Sequence, residues 1–201
     1  MKILFPIAFI LFFVPARIEA QTFGLRGGLN FATQRFNSNG TIVTPPMVTR
    51  SHLGIFINSQ IGNKTCVQVE FGYNGMGSKA DKQNSLPSSN YDYVTGAVLF
   101  KYYPHKAISF HIGPQVGFLF GGKYNDSGNS SVLDRRKQTD ILLALGSDLF
   151  LNRFIGIGIR YDLGLNNIYN FSAYDIKQYN RVIQLSLLFR IPGYQFKESG
   201  Y

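Results

Sequence analysis

Residues 154–166 read FIGIGIRYDLGLN. Ile155, Ile157, Ile159, Tyr161, Leu163 and Leu165 recur at every second position, with Gly156, Gly158, Arg160, Asp162, Gly164 and Asn166 between them. Side chains alternate across a β-strand, so a period of two places a wholly apolar face opposite one that is small or charged. The alternating run is more than twice the usual strand length of about five or six residues.

The same pattern recurs along the chain from Thr22 onward. Residues 22–32 set Phe23, Leu25, Leu29 and Phe31 against Gly24, Arg26, Gly28 and Asn30. Residues 52–61 set Leu53, Ile55, Ile57 and Ile61 against Gly54, Asn58 and Gln60, and residues 65–76 set Val67, Val69, Phe71 and Tyr73 against Gln68, Glu70, Gly72 and Asn74. Residues 107–121 put Ile108, Phe110, Ile112, Val116, Phe118 and Phe120 opposite Ser109, His111, Gly113, Gln115 and Gly117. Residues 181–191 put Ile183, Leu185, Leu187, Phe189 and Ile191 opposite Gln184, Ser186 and Arg190. In residues 91–103, with Thr95, Ala97 and Lys101 on the polar face, Leu99 breaks the pattern; in residues 138–151, with Ala144, Gly146 and Asp148, Leu142 does so. The reading is eight strands, an even count that suits a bacterial outer-membrane barrel.

The connections alternate in length. Gly62-Asn63-Lys64, Pro104-His105-Lys106 and Asn152-Arg153 are tight turns, whereas about 36–49, 79–90, 122–137 and 167–178 are long and polar. Strict alternation predicts an all-β, antiparallel, up-and-down transmembrane β-barrel with turns and both termini at one end and loops at the other. With the loops outside the cell, both termini are expected in the periplasm. The rival is a soluble lipocalin-like barrel, which alternates too but turns its apolar face inward. Uncharged apolar faces about ten residues long, glycine-rich polar faces with paired charges, and aromatics near the strand ends favour apolar-out. The expected girdles are Phe23, Phe150, Phe154 and Tyr102 at the turn end, and Phe31, Phe36, Tyr73, Tyr91, Phe120, Tyr124, Tyr169 and Tyr179 at the loop end.

Lys2, the 12-residue apolar run Ile3–Val14 and the small residue Ala20 read as a signal peptide over residues 1–20. The barrel is expected over residues 21–191, and 192–201 form a short tail. The chain has 201 residues and a net charge of +9, and its 45% hydrophobic content, interleaved with polar residues, excludes a bundle of membrane helices. Its one cysteine, Cys66, excludes an intramolecular disulfide and Cys-clustered metal sites, and His52, His105 and His111 are too scattered for a metal motif. No cofactor and no metal are expected.

The lumen of an eight-stranded barrel is about as wide as its own side chains. The inward charges Arg26, Glu70, Lys101, Asp148, Arg160, Asp162 and Arg190, with His111, are therefore expected to pair as a plug. Ser109 and His111 are the one thread toward an enzyme such as a lipid A deacylase. Side chains two apart on a strand lie about 7 Å from each other, and no orienting third group is evident, so no catalytic residue is assigned. Loops two to four carry seven basic residues, including the run Arg135, Arg136 and Lys137, against four acidic ones. That balance points to lipopolysaccharide phosphates or a protein partner, and the lack of a continuous aromatic-interleaved stripe argues against nucleic acid.

The stretch QTFGLRGGLNFA (residues 21–32), the further alternating strands and the closing VIQLSLLFRI (182–191) resemble the PorT-like small outer-membrane β-barrel proteins of Bacteroidetes. The resemblance covers residues 21–191. Its motif is the strand pattern GLRGGLN at 24–30. It implies an integral protein of a Gram-negative outer membrane, inserted by the barrel-assembly machinery, with a structural or interaction role. It also implies an accessory part in type IX protein secretion with a secretion-complex partner. The assembly signal is expected at an aromatic, Phe189 or Tyr201.

Overall fold

The computed structural model describes residues 21–38, 40–83, 86–125, 137–169 and 176–191. The signal peptide and tail expected at 1–20 and 192–201, with Arg135 and Arg136, lie outside them. The strands are β1 (Gln21–Ser38), β2 (Thr41–Val43), β3 (Val48–Gly62), β4 (Thr65–Ser78), β5 (Ser88–His105), β6 (Ile108–Asn125), β7 (Thr139–Phe150), β8 (Ile155–Gly164) and β9 (Ile176–Ile191). Each pairs antiparallel with its neighbours, and β9 pairs back onto β1, so eight strands close into a barrel. The ninth, three-residue β2, lies in the first long connection and pairs with the top of β1, from Phe36 to Ser38. At the loop end the strands run longer than the alternation suggests, because β1, β5, β6 and β9 continue as paired ribbon where the sequence turns polar.

Closure carries a stagger. From Gln21 the ladder passes through Ser59, Val67, Phe100, Ile112, Leu145, Tyr161 and Ile183 and returns to β1 at Phe31, ten residues up. Such a shear is what tilts the strands by about 35–45° and sets the barrel's width. Curvature this tight leaves no room for some side chains. A Cβ on Gly28 would meet the Leu185 carbonyl oxygen at 2.0 Å, and Gly77 has a φ of +140° that disfavours any L side chain.

The partition of side chains reverses that of a soluble protein. Leu187 is 67% exposed, Leu53 63% and Phe71 60%, whereas Arg160, Asp162 and Lys101 are at most 2% exposed. This excludes the lipocalin alternative: the apolar faces form the outer belt and the polar faces line the lumen. Leu99 and Leu142, which break the polar faces, are fully buried inside. Two expected girdle residues are also inside. Tyr91 and Phe150 are 0% and 5% exposed; Tyr91 packs with Met76, Tyr93 and Leu119, and Phe150 with Phe56 and Leu188. Their strand parity is inward, and a ring near a strand end fills the lumen as readily as it marks an interface. Phe23, Tyr102, Phe154 and Phe120 are exposed as expected, and the Tyr124 side chain lies outside the described set.

Leu187→Arg, in mid-belt, should lower the unfolding free energy in lipid vesicles by about 2–4 kcal/mol, the cost of a cation on the lipid face. Urea titration of the reconstituted barrel measures it, and an unchanged midpoint would contradict the outward assignment.

Candidate functional site

Inward-facing positions on one strand are two residues apart, so the lumen is written in layers that each strand crosses in the same order. On β1 the order from the turn end is Arg26, Asn30, Ala32, Gln34; on β4 it is Glu70, Asn74, Met76, Ser78. On β5 it is Lys101, then Leu99 and Ala97, which pack with Ala144, then Thr95, Tyr93 and Tyr91, then Ser89. Charge, amide, apolar packing and amide again therefore stack along the axis.

The charged layer centres on Glu70. Arg26 donates through Nη1 to Glu70 Oε1 at 2.8 Å, and Arg160 donates through Nη1 and Nη2 to Oε2 and Oε1, both at 2.7 Å. The Gln68 amide also donates to Glu70. Lys101 Nζ bridges Gln68 Oε1 at 2.9 Å and Asp148 Oδ2 at 2.6 Å. Arg160 Nε donates to His111 Nε2 at 3.1 Å. A guanidinium cannot accept, so that imidazole nitrogen carries no proton, and the remaining one sits on Nδ1, facing Asp148 Oδ2 at 3.6 Å. Arg26 Nη2 donates to Ser186 Oγ at 2.9 Å, which lies 2.9 Å from His52 Nε2. The residues come from β1 (Arg26), β3 (His52), β4 (Gln68, Glu70), β5 (Lys101), β6 (His111), β7 (Asp148), β8 (Arg160) and β9 (Ser186), one network fed by all eight barrel strands.

Of the expected lumen charges, Arg26, Glu70, Lys101, His111, Asp148 and Arg160 are brought together. Asp162 is fully buried two residues beyond Arg160 but forms no ion pair among the described residues. Arg190 stands apart at the turn end, its guanidinium 3.9 Å from the Phe150 ring centroid and its Nε donating to the Arg153 carbonyl at 2.9 Å. Strand parity placed it inward, and it lies against the inward Phe150 ring at the turn end of the lumen, apart from the Glu70 layer. His52, Gln68 and Ser186 are the members not named as plug residues from sequence, since none carries a formal charge to draw attention; their inward parity was the available signal. Ser109 is fully buried and its hydroxyl has no hydrogen-bond partner among the described residues. With His111 Nε2 already taken by Arg160, the two do not form a nucleophile and base.

Above this layer Asn74 joins Asn30, Thr95 and Gln184. Ala32, Met76, Tyr91, Tyr93, Leu119, Leu142 and Val182 then pack against one another. At the loop end Gln34 Oε1 accepts from Gln178, Ser78 and Ser89, while its amide donates to Asn180, which in turn donates to Asp140 at 2.7 Å. The cavity beside Arg26, His52, Glu70, Gln115 and Arg160 measures about 10 Å³, about the least space that holds one water.

The outer face of the loop end is basic. Arg35, Lys79, Lys82, Lys123, Lys137 and Lys177 are exposed. Arg50 is held by Asp92 at 2.5 Å, and Tyr73 Oη also donates to Asp92 at 2.6 Å.

Glu70→Gln leaves Arg26 and Arg160 buried with one neutral partner and should cost about 3–5 kcal/mol of stability. Asp92→Asn, which breaks a half-exposed pair, should cost about 1 kcal/mol or less. Urea unfolding of both variants in vesicles tests the contrast, and equal losses would contradict it.

Comparison with known proteins agrees with this geometry. The sequence model of the outer membrane protein beta-barrel domain matches residues 19–170. Among curated proteins no sequence matches. Neisserial surface protein A superposes with a TM-score of 0.50 at 13% identity over 85% of this chain and 97% of that one. Ail, the attachment invasion locus protein of Yersinia pestis, gives 0.49 at 14% over 86% and 99%. OprG from Pseudomonas aeruginosa gives 0.47 at 15% over 87% and 97%. An outward apolar belt around a polar lumen, closed by eight antiparallel strands and matched over most of its length by that sequence model, makes this chain an integral bacterial outer-membrane protein: it belongs to the outer membrane protein beta-barrel domain family.

Proposed function

We propose that this protein is a sealed membrane scaffold that acts through its loop end and rim, by binding other envelope components, and not by transport or catalysis through its lumen. The observation that supports this is the charged layer: each of the eight barrel strands contributes a buried side chain to one hydrogen-bonded network. A solute would have to break several charge-assisted bonds there, each stronger than a neutral one. Above it, tyrosine and aliphatic side chains pack across the lumen, so an ion would meet a filled interior and not a water-lined path. A rigid, closed barrel leaves binding to its connections, where such scaffolds carry function. Both strand termini, Gln21 and Ile191, lie at the turn end, so loops facing outward put the termini in the periplasm.

The interaction favoured by the sequence resemblance is an accessory role in protein secretion, with the loops or the periplasmic turns against a secretion-complex protein. The lipid-modifying alternative gains nothing from Ser109 and His111, which are sealed in the lumen wall and not bonded to each other.

Two measurements test the proposal. In planar bilayers the purified barrel should show no steps above the lipid baseline, and a regular open-channel conductance would overturn the sealed reading. Mild-detergent capture from native outer membranes should recover a stoichiometric envelope protein. Recovery of the barrel alone, together with an unchanged secretome after gene deletion, would overturn the secretion role.

A further inference from the structure

We infer that the outer face of the β1–β9 seam, at its loop end, binds the phosphate-bearing headgroup of an outer-leaflet lipid. The ladder pairs Thr33 with Arg181, Arg35 with Tyr179 and Asn37 with Lys177. Odd-numbered residues on both strands face outward, as the exposed Leu25, Leu29, Leu185, Leu187 and Phe189 show. Three cations, Arg35, Lys177 and Arg181, are therefore cross-strand neighbours on one lipid-side surface around the Tyr179 ring.

Like charges at adjacent cross-strand positions repel. Elsewhere the outer face balances such a cation with a carboxylate, as Asp92 does for Arg50. At the seam the positions of outward parity beside the three cations are Phe31, Thr33, Asn37, Tyr179 and Ile183, and none carries negative charge; Thr33 is covered by the first connection, its hydroxyl donating to the Pro45 carbonyl. Arg35 and Lys177 are exposed, with no hydrogen bond or ion pair among the described residues. Arg181 is fixed by two carbonyls, Gly164 at 2.8 Å and Asn180 at 3.1 Å, which satisfy donors without cancelling its charge.

Position selects the kind of anion. Along β9 the outward residues run Leu187, Leu185, Ile183 and then Arg181, Tyr179, Lys177, so the cations begin where the apolar belt ends. β1 repeats the step, with Leu25, Leu29 and Phe31 below Thr33 and Arg35. A lipid lying along the seam would lay its acyl chains on the belt and bring its phosphate to the guanidinium and ammonium groups, with charge-assisted bonds in place of like-charge repulsion. A soluble anion would gain nothing from the belt.

The inference rests on the loop end facing the outer leaflet, but a binding assay in detergent reads the seam alone, whether or not the barrel conducts or captures a protein. The full barrel in non-ionic detergent is titrated with bisphosphorylated lipid A, with the same lipid dephosphorylated, and with inorganic phosphate. The parent should bind the phosphorylated lipid at least about ten-fold more tightly than the dephosphorylated one, a difference of the size that charge-assisted contacts supply. Arg35→Gln/Lys177→Gln should abolish that preference, whereas Lys82→Gln/Lys123→Gln, an equal charge change on the β4–β5 connection and β6, should keep it. Both are surface changes, and heat-modifiable gel mobility confirms that each variant is folded. Parent-like binding by the seam variant, an equal loss in the control variant, or displacement of the lipid by equimolar inorganic phosphate would each overturn the assignment.

Discussion

The shared carboxylate of Glu70 is the interaction on which the barrel's interior depends. Two guanidiniums, Arg26 from β1 and Arg160 from β8, converge on its two oxygens. Neither arginine could be buried alone, because the cost of removing a charge from water is offset only when its partner is close and the remaining donors are satisfied. Ser186 takes a further donor of Arg26 and His111 one of Arg160, which ties β9 and β6 to the same centre. Lys101 and Asp148 form a second pair, joined to the first through Gln68. A carboxylate held from several strands at once resists any movement of one strand relative to its neighbours.

The layers above follow from the same geometry. A lumen this narrow has no room for bulk water, so the polar groups on inward faces are satisfied mainly by side chains from other strands, with Ser109 and Asp162 as exceptions among the described residues. Near the charges those partners are amides and a threonine, as around Asn74. Where strand parity delivers alanine, methionine, leucine, valine and tyrosine instead, the interior is filled by apolar packing. At the loop end Gln34 collects a last set of donors from β4, β5 and β9. The protein thus has a core, but one whose chemistry is inverted: ion pairs and amides inside, aliphatic side chains outside, because the solvent at the outer surface is hydrocarbon.

That inversion also explains where interaction can occur. The belt meets lipid and the lumen is full, which leaves the turns, the long connections and the rim where belt and connections join. The rim is distinctly cationic, with Arg50 held by Asp92 while Arg35 and Lys177 stand free of acidic neighbours among the described residues. An exposed charge at that height is close enough to a lipid phosphate to matter, and a charge buried in the plug is not.

Much of this was legible in the chain itself. A period of two over segments such as 154–166 determines strands, an even count of eight determines a closable barrel, and alternating turn and loop lengths determine up-and-down order, because side-chain direction and loop reach are local properties of the backbone. The identity of the inward charges was legible for the same reason. What needed the tertiary structure was which charge meets which, and which face of an end residue wins. Arg26 and Glu70 are 44 residues apart and Glu70 and Arg160 are 90 apart, so only the shear of the closed ladder puts them at one height. Tyr91 and Phe150, read as interfacial from their place near strand ends, turn into the lumen because parity outranks proximity to the membrane surface. Arg190, inward by parity, caps the Phe150 ring at the turn end and donates to Arg153, so it lies over the lumen mouth and not in the Glu70 network. Pattern along the chain decides which way a side chain points; the stagger at closure decides what it finds there.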